Sequence, residues 1–508
     1  MKRIRLFLLL LCIPLWASAA NNSYVRPTIC PEPQSFEISD TVYHPLTRVS
    51  VRCADKTALE WAQTHLNAWY GELAPKVVWG GKAATDMGEG AYELSAGKKE
   101  VAIKASTLQG IRYALYSLRQ ITIAKRGTLS VEGWIIPECT IQDHPDMAFR
   151  GVHICWFHET EPWEVERLIR LAAYYKMNYA VIESWGTFRS EIAPWYGWED
   201  GTMTKEEVAR LKAIADDLGI TLIPQINVFG HATMSRGGAG KHAVLEFHPE
   251  YQTLFEPCGG WNWCLSSPAV RKLLPELIEE RMDAFGNPPY FHIGGDEAHQ
   301  PSCPDCIRQD YAQLFIDHIR AMHDVIAARG AKTMMWHDML IDRADPRWEG
   351  FTHNGNDLTA KAILDFPRDI VICDWYYGEA KEAYPVADYF KSLGFTVLAC
   401  PWNKSYKGTI AMSQNAHKAG LDGILVTLWH HYYGGRLQDS YFFASNIAWN
   451  AEASLSARSV GKGYGVSYRP FFHTHLRQIG WDMHTTDPRH TGIYYDELPP
   501  EPALSTAG

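Results

Sequence analysis

The sequence lacks a surplus of basic residues: 48 Lys+Arg stand against 58 Asp+Glu, a formal net charge of −10. Lys2, Arg3 and Arg5 fall in the first twenty residues with no acid beside them, so removing that segment leaves 45 against 58, or −13. A chain this acidic does not hold a phosphate backbone or an anionic lipid surface by charge, which excludes non-specific nucleic-acid binding. No apolar run reaches the roughly 18 residues needed to span a bilayer, so no membrane-crossing helix is expected. No Gly-rich phosphate loop follows the strand at Phe149–Cys155, which argues against a dinucleotide fold. Internal repeats and low-complexity tracts are missing too. Charged residues at 21% beside hydrophobic ones at 46% exclude a disordered or collagenous chain.

Cysteine is sparse, eleven in 508 residues. Cys12 lies in an N-terminal segment that reads as a secretory signal: the basic Lys2, Arg3 and Arg5, an apolar stretch Leu6–Trp16, and a small-residue cleavage site at Ala17-Ser18-Ala19. Residues 1–20 are therefore expected to be removed on export to a periplasm or the medium. Ten cysteines then remain, an even number in a compartment that permits disulfides. Cys303-Pro-Asp-Cys306 is one CxxC pair with His299 nearby. A zinc knuckle needs a second pair, so a local disulfide or free thiols is the plainer reading, with a metal left open.

Residues 21–145 read as a smaller α/β support domain, with strands at Arg48–Val51, Ala91–Leu94, Val101–Lys104 and Trp134–Ile141 and helices at Ala58–Leu73 and Leu108–Ala124. No catalytic constellation occurs there. From residue 146 to 455 short apolar runs alternate with amphipathic helices. The expected strands are Phe149–Cys155, Tyr179–Glu183, Thr221–Ile226, Tyr290–Ile293, Thr333–Trp336, Ile370–Asp374, Thr396–Ala399 and Gly423–Leu428. Eight such strands with interleaved helices predict a parallel (β/α)8 barrel, the TIM-barrel form of the α/β class. Residues 456–508 are expected to pack on the barrel as a tail.

What is abundant is aromatic: 19 Trp, 25 Tyr and 19 Phe. In a barrel of this kind the residues just past each strand's carboxyl end form the functional rim. That rim would hold Trp156 and His158, Glu183-Ser184-Trp185, Gly230-His231, Gly294-Gly295-Asp296-Glu297, Trp336-His337-Asp338, Asp374-Trp375-Tyr376-Tyr377 and Trp429-His430-His431. Acids, imidazoles and indoles converging on one rim suit a pyranose pocket, the rings packing on the sugar face while acids handle the glycosidic oxygen. Two adjacent acids after two glycines can approach one face of a substrate. That differs from the opposed pair of a two-carboxylate glycosidase and fits substrate-assisted hydrolysis. A solvated loop or a helix cap is the bland alternative for the same four residues.

The run Tyr290-Phe291-His292-Ile293-Gly294-Gly295-Asp296-Glu297 resembles glycoside hydrolase family 20, the β-N-acetylhexosaminidases, and further matches keep the family's order: Phe149-Arg150-Gly151, Ile223-Pro224 with Gly230-His231, Trp336 and Trp429. The resemblance implies Glu297 as general acid and then base, and Asp296 as the group that orients the sugar's acetamido. It implies Arg150 on sugar hydroxyls, Trp336, Trp375 and Trp429 as pocket walls, and His231 in the network behind the acid. Asp338 and His431 join the expected substrate-binding set. Asp296 is expected to raise the pKa of Glu297. The implied reaction removes a terminal N-acetylhexosamine from a glycan with retention, through an oxazolinium ion, and needs no metal or cofactor.

The departures are specific. Glu183-Ser184-Trp185-Gly186-Thr187 replaces the family's His-x-x-Asp-Asp, so His231 lacks its usual acidic partner unless Glu183 substitutes. Trp429-His430-His431 replaces Trp-x-Glu, which would suit a 6-sulfated or otherwise acidic sugar. After strand 7 the family's tyrosine has only Trp402 or Tyr406 as candidates, and its aspartate has none. Three rivals remain at this stage. One is a non-catalytic carbohydrate-binding protein on a decayed barrel. Another is an unrelated barrel hydrolase, which would survive loss of Asp296. The third is a metal hydrolase built on His292, His337, His430, His431 and Asp338, although those histidines show no His-x-His or His-x3-His spacing.

Overall fold

In the N-terminal part, alternation of small and large apolar residues sets the strands. Tyr92, Leu94 and Ala96 turn inward on one strand and Val101, Ile103 and Ala105 on the next. Seven strands form this sheet: β1 (Ser35–Pro45), β2 (Arg48–Arg52), β3 (Lys76–Gly81), β4 (Tyr92–Ala96), β5 (Val101–Ala105), β6 (Ile123–Arg126) and β7 (Val131–Asp143). Their order is β1-β7-β4-β5-β2-β3, with β6 paired to β7. Helices α1 (Thr57–Tyr70) and α2 (Leu108–Ile121) join the same core. Thr107 caps α2 by accepting from the Gly110 amide at 3.2 Å. The helix expected to run on to Ala124 ends at Ile121, because Thr122 turns extended and the chain continues as β6.

The computed structural model describes residues 27–82, 87–128, 130–233, 243–257, 259–402, 405–429 and 440–453. The expected signal segment, the tail 456–508, His430 and His431 lie outside them. Among the described residues no helix is long and apolar enough to cross a membrane.

All eight expected barrel strands are present: β8 (Phe149–Trp156), β9 (Tyr179–Ser184), β10 (Thr221–Gln225), β11 (Tyr290–His292), β12 (Lys332–Trp336), β13 (Val371–Tyr376), β14 (Thr396–Pro401) and β15 (Gly423–Leu428). Each pairs in parallel with its neighbour, and β15 pairs with β8, which closes the barrel. β8 and β15 are buried along their whole length, as befits strands covered on both faces. The helices start where the sequence supplies caps. Thr204 accepts from the Glu207 amide at 3.1 Å and Asp310 from Gln313 at 3.2 Å, and Glu161 with Glu164 forms a capping box.

Arg150 corrects one expectation. It is the second residue of β8, at the amino end of the barrel, opposite the rim. Its guanidinium donates to the carbonyls of Lys176 (3.0 Å) and Met147 (2.6 Å) within the barrel part and to the Tyr113 hydroxyl (2.8 Å) of the N-terminal part, so it is engaged where the two parts of the chain meet. It binds no sugar, because a side chain that early in a barrel strand points away from the site.

Candidate active site

The acid pair is set by the way β11 ends. Gly294 and Gly295 both take positive φ, 65° and 94°, and a Cβ on Gly294 would sit 2.0 Å from the Asn227 side-chain oxygen. Gly230, on the loop after β10, is needed for close approach: a Cβ there would meet the Asp296 carbonyl at 2.1 Å. Two glycine-bearing loops thus lie against one another and bring His231 to the acids. His231 Nε2 stands 3.3 Å from Asp296 Oδ2 and 3.4 Å from Glu297 Oε2. The indoles of Trp185 and Trp261 flank its ring.

The two acids differ in exposure. Glu297 is 31% exposed and borders a cleft of about 160 Å³ shared with His299, Gln300, Arg343 and Asn354, whereas Asp296 is 7% exposed. Asp296 Oδ1 is buried and has no hydrogen-bond partner among the described residues. Burial raises the Asp296 pKa to about 6, against the downward pull of His231. Burial alone would lower His231, but the Asp296 and Glu297 carboxylates outweigh it and hold the imidazole up to about 10. The sequence expectation assigned the raised carboxyl to Glu297. The structure places a raised carboxyl at Asp296, with burial rather than a neighbouring acid as the main cause.

Glu297 itself has φ 46°, a left-handed conformation that costs a non-glycine residue about 1–3 kcal/mol and persists only when its surroundings enforce it. Both of its backbone groups are held. The amide donates to Asp338 Oδ2 at 2.9 Å, and the carbonyl accepts from Trp261 Nε1 at 2.7 Å. Asp338 is fully buried, its Oδ2 also accepting from Asn354 Nδ2 at 2.8 Å and its Oδ1 from Trp375 Nε1 at 3.2 Å. It therefore positions the acid and does not reach a sugar, a second correction. Burial raises its pKa.

Glu183 does not substitute as a hydrogen-bonding partner of His231. Its oxygens accept from Asn227 Nδ2 (2.7 Å) and meet His153 Nε2 (2.8 Å), one layer below the acids. Trp336 is fully buried, its ring against His153, His292 and Trp429, so it forms the floor under the pocket and not an open wall. Trp375 and Trp429 are half-buried, and Trp429 Nε1 donates to the Tyr377 hydroxyl at 2.5 Å. Tyr377 reaches this rim from β13, whereas Tyr406 packs on Phe443 and Trp402 lies edge-on to Tyr377. Of the rival metal set, the two described imidazoles each have a ring nitrogen engaged: His292 Nδ1 accepts from the Gly294 amide and His337 Nδ1 from that of Trp375. His431 lies outside the described residues.

Sequence reasoning missed Trp261, Asn227 and Asn354, and placed Tyr377 on the rim without giving it a role. Trp261 and Asn354 sit on long loops with no periodic pattern, whereas Tyr377 was visible as part of an aromatic run at a strand end.

A (β/α)8 barrel whose fourth strand hands adjacent acids to a rim that also carries half-buried Trp375 and Trp429 has the layout of a carbohydrate-active hydrolase. The chain matches the glycosyl hydrolase family 20 catalytic domain over residues 140–439 and that family's domain 2 over residues 26–144. It belongs to glycosyl hydrolase family 20. A β-hexosaminidase of Vibrio furnissii is 28% identical over 278 residues, 48% of this chain and 44% of that protein. A β-N-acetylhexosaminidase of Cellulomonas fimi is 27% identical over 279 residues, 51% of this chain and 52% of that one. The chain thus spans about half the length, or less, of the curated relatives it matches. The solved family 20 β-N-acetylhexosaminidase of Streptomyces coelicolor A3(2) shares the fold at TM-score 0.66 and 16% identity, over 90% of this chain and 97% of that one. An exo-β-N-acetylglucosaminidase of Vibrio harveyi, solved with N-acetylglucosamine, gives 0.65 and 19% over 90% and 78%.

Proposed function

We propose that the protein is an exported exo-acting hydrolase that removes a terminal β-linked N-acetylhexosamine from glycans with retention of configuration. The observation that carries this reading is the unequal acid pair on one imidazole. Both carboxylates meet His231 Nε2, so they act from the same side, and Asp296 keeps a buried oxygen without a partner while Glu297 opens to the cleft.

Glu297 protonates the glycosidic oxygen as the bond to the anomeric carbon breaks. The carbonyl oxygen of the sugar's own 2-acetamido group attacks that carbon and closes an oxazolinium ring. Asp296 Oδ1 accepts the acetamido N–H and offsets the ring's positive charge, a contact that strengthens as charge develops. Glu297, now a carboxylate, takes a proton from water as the water opens the ring and restores the original configuration. The His231 imidazolium holds Asp296 ionised. Trp429, tied to Tyr377, would pack on the sugar's apolar face.

The test is aglycone release from aryl β-N-acetylglucosaminide, with and without a 6-sulfate, alongside the matching aryl β-glucoside. Turnover of an acetamido sugar with none of the glucoside is expected. Glu297→Gln should cost about 10²–10⁴-fold in kcat, most for poor leaving groups. Glycan binding without turnover would instead establish a carbohydrate-binding protein. Equal turnover of the glucoside would overturn substrate assistance. For export, the N-terminus of the mature protein from a periplasmic or medium fraction should fall at about residue 20.

A further inference from the structure

Behind the catalytic loop lies a cluster that the hydrolytic reading does not use. Glu256 and Cys264 come from the long connection after β10. Cys303 and Cys306 follow the acid pair on the connection after β11, at the start of the short helix Pro304–Arg308. One carboxylate oxygen and three sulfurs from these residues all lie within 4.8 Å of one another. The CxxC pair that seemed to lack a second half in sequence finds it forty residues upstream, in a different loop.

Three features of the cluster suit a bound cation. Glu256 is fully buried, and its Oε2 accepts from the amides of Ser302 (2.7 Å) and Cys303 (2.6 Å), which fixes the carboxylate. Its Oε1 is buried with no partner among the described residues, an arrangement that is unfavourable for an ionised group unless a cation fills it. The cysteines are unbonded thiols, with Cys264 Sγ and Cys306 Sγ 3.7 Å apart. Two sulfurs on a tetrahedral zinc with bonds of about 2.3 Å sit about 3.8 Å apart. Among the described residues, a disulfide between any two of the three would leave the third thiol and the Glu256 oxygen facing one another, whereas one divalent cation engages all four.

We infer that Glu256, Cys264, Cys303 and Cys306 form a closed structural zinc site that staples the loop after β10 to the loop carrying the acid pair. Three thiolates select a soft or borderline metal over magnesium or calcium, and four protein ligands leave no open position for catalysis. The staple reinforces contacts already made between the same loops. Asn262 exchanges two hydrogen bonds with the His299 backbone at 2.7 and 2.9 Å, and Trp261 holds the Glu297 carbonyl. Zinc would thus act on the reaction only by fixing where Glu297 stands. The inference does not depend on which sugar is cleaved, or on whether one is.

The first readout is metal content of the purified full chain by mass spectrometry, expected at about one zinc per chain, with Cys264, Cys303 and Cys306 protected from alkylation until a chelator is added. Cobalt added to chelated protein should give the charge-transfer absorption of a thiolate-bound tetrahedral ion. Cys306→Ser should lose the metal, Glu256→Gln should bind it more weakly, and chelation should lower the Tm of the native chain while leaving that of Cys306→Ser unmoved. Should either variant fail to fold, metal content and the cobalt spectrum of the native chain still decide the matter. Folded native protein without stoichiometric metal overturns the inference. So does a peptide mass two hydrogens lighter that links two of the three cysteines, the competing fate in an oxidising compartment.

Discussion

His231 shows how one side chain sets the working range of the site. Its imidazole touches both acids, and the two carboxylates raise its pKa to about 10, so it is a cation throughout the neutral range. Asp296, raised to about 6 by burial, would rise further without that cation. If Asp296 works as a carboxylate, activity falls as pH drops through about 6, because protonation removes the acceptor for the acetamido N–H. His231→Gln should therefore shift the acid limb of the kcat/KM profile upward by about 1–3 pH units. A limb that stays in place would show that Asp296 does not need the imidazolium. Stability carries a matching signature. A histidine whose pKa is raised on folding contributes stability in full below its unfolded value near 6.5, and loses it as pH rises through about 10. The Tm difference between the native chain and His231→Gln should shrink over that interval, which thermal melts at pH 6 and pH 10 would measure.

The elements around the acid pair work by pinning backbone. Trp261, on the connection after β10, and Asp338, after β12, grip the carbonyl and the amide of Glu297 from two sides and hold its left-handed turn. Trp261→Phe keeps an aromatic ring, though a smaller one, and removes one hydrogen bond, worth about 1 kcal/mol. If that bond aims the acid, kcat should fall about five- to tenfold with KM nearly unchanged. A rise in KM alone would make Trp261 a wall of the pocket. The barrel strands were legible because each is a short apolar run between amphipathic helices, and all eight fall within about two residues of the expected bounds. β1, β3 and β6 were missed: β1 alternates weakly and stays largely exposed, and β3 and β6 are short edge strands whose pairing depends on distant partners. The acid pair and His231 could be read from local motifs. Arg150 and Asp338 could be recognised as important but not placed, because sequence does not say to which end of a strand, or toward which neighbour, a buried polar side chain turns.

At the scale of the molecule, the two parts of the chain meet over a buried charge. Lys176 and Asp143 pair at 2.8 Å with neither side chain exposed, between the end of the N-terminal sheet and the start of β9. Asp143 also accepts from the Tyr92 hydroxyl (2.7 Å), the Gln34 amide (3.1 Å) and the Trp449 indole (2.7 Å), so one carboxylate ties together β4, the segment before β1, and the last described helix, Ser445–Trp449. The Lys176 ammonium also lies over the Trp449 ring, 4.5 Å from its centre, and Arg150 stacks beside it. Removing only the cation leaves an ionised acid buried, so Lys176→Met should destabilise the chain by about 3–5 kcal/mol in urea unfolding followed by tryptophan fluorescence. An isolated buried pair would be restored by replacing both partners with apolar residues. Here the double variant Lys176→Met with Asp143→Leu should not recover, because Tyr92, Trp449 and the Gln34 amide would then lose their shared acceptor. Recovery to native stability would mean that the carboxylate matters only to its lysine, and that the sheet docks on the barrel by apolar packing alone.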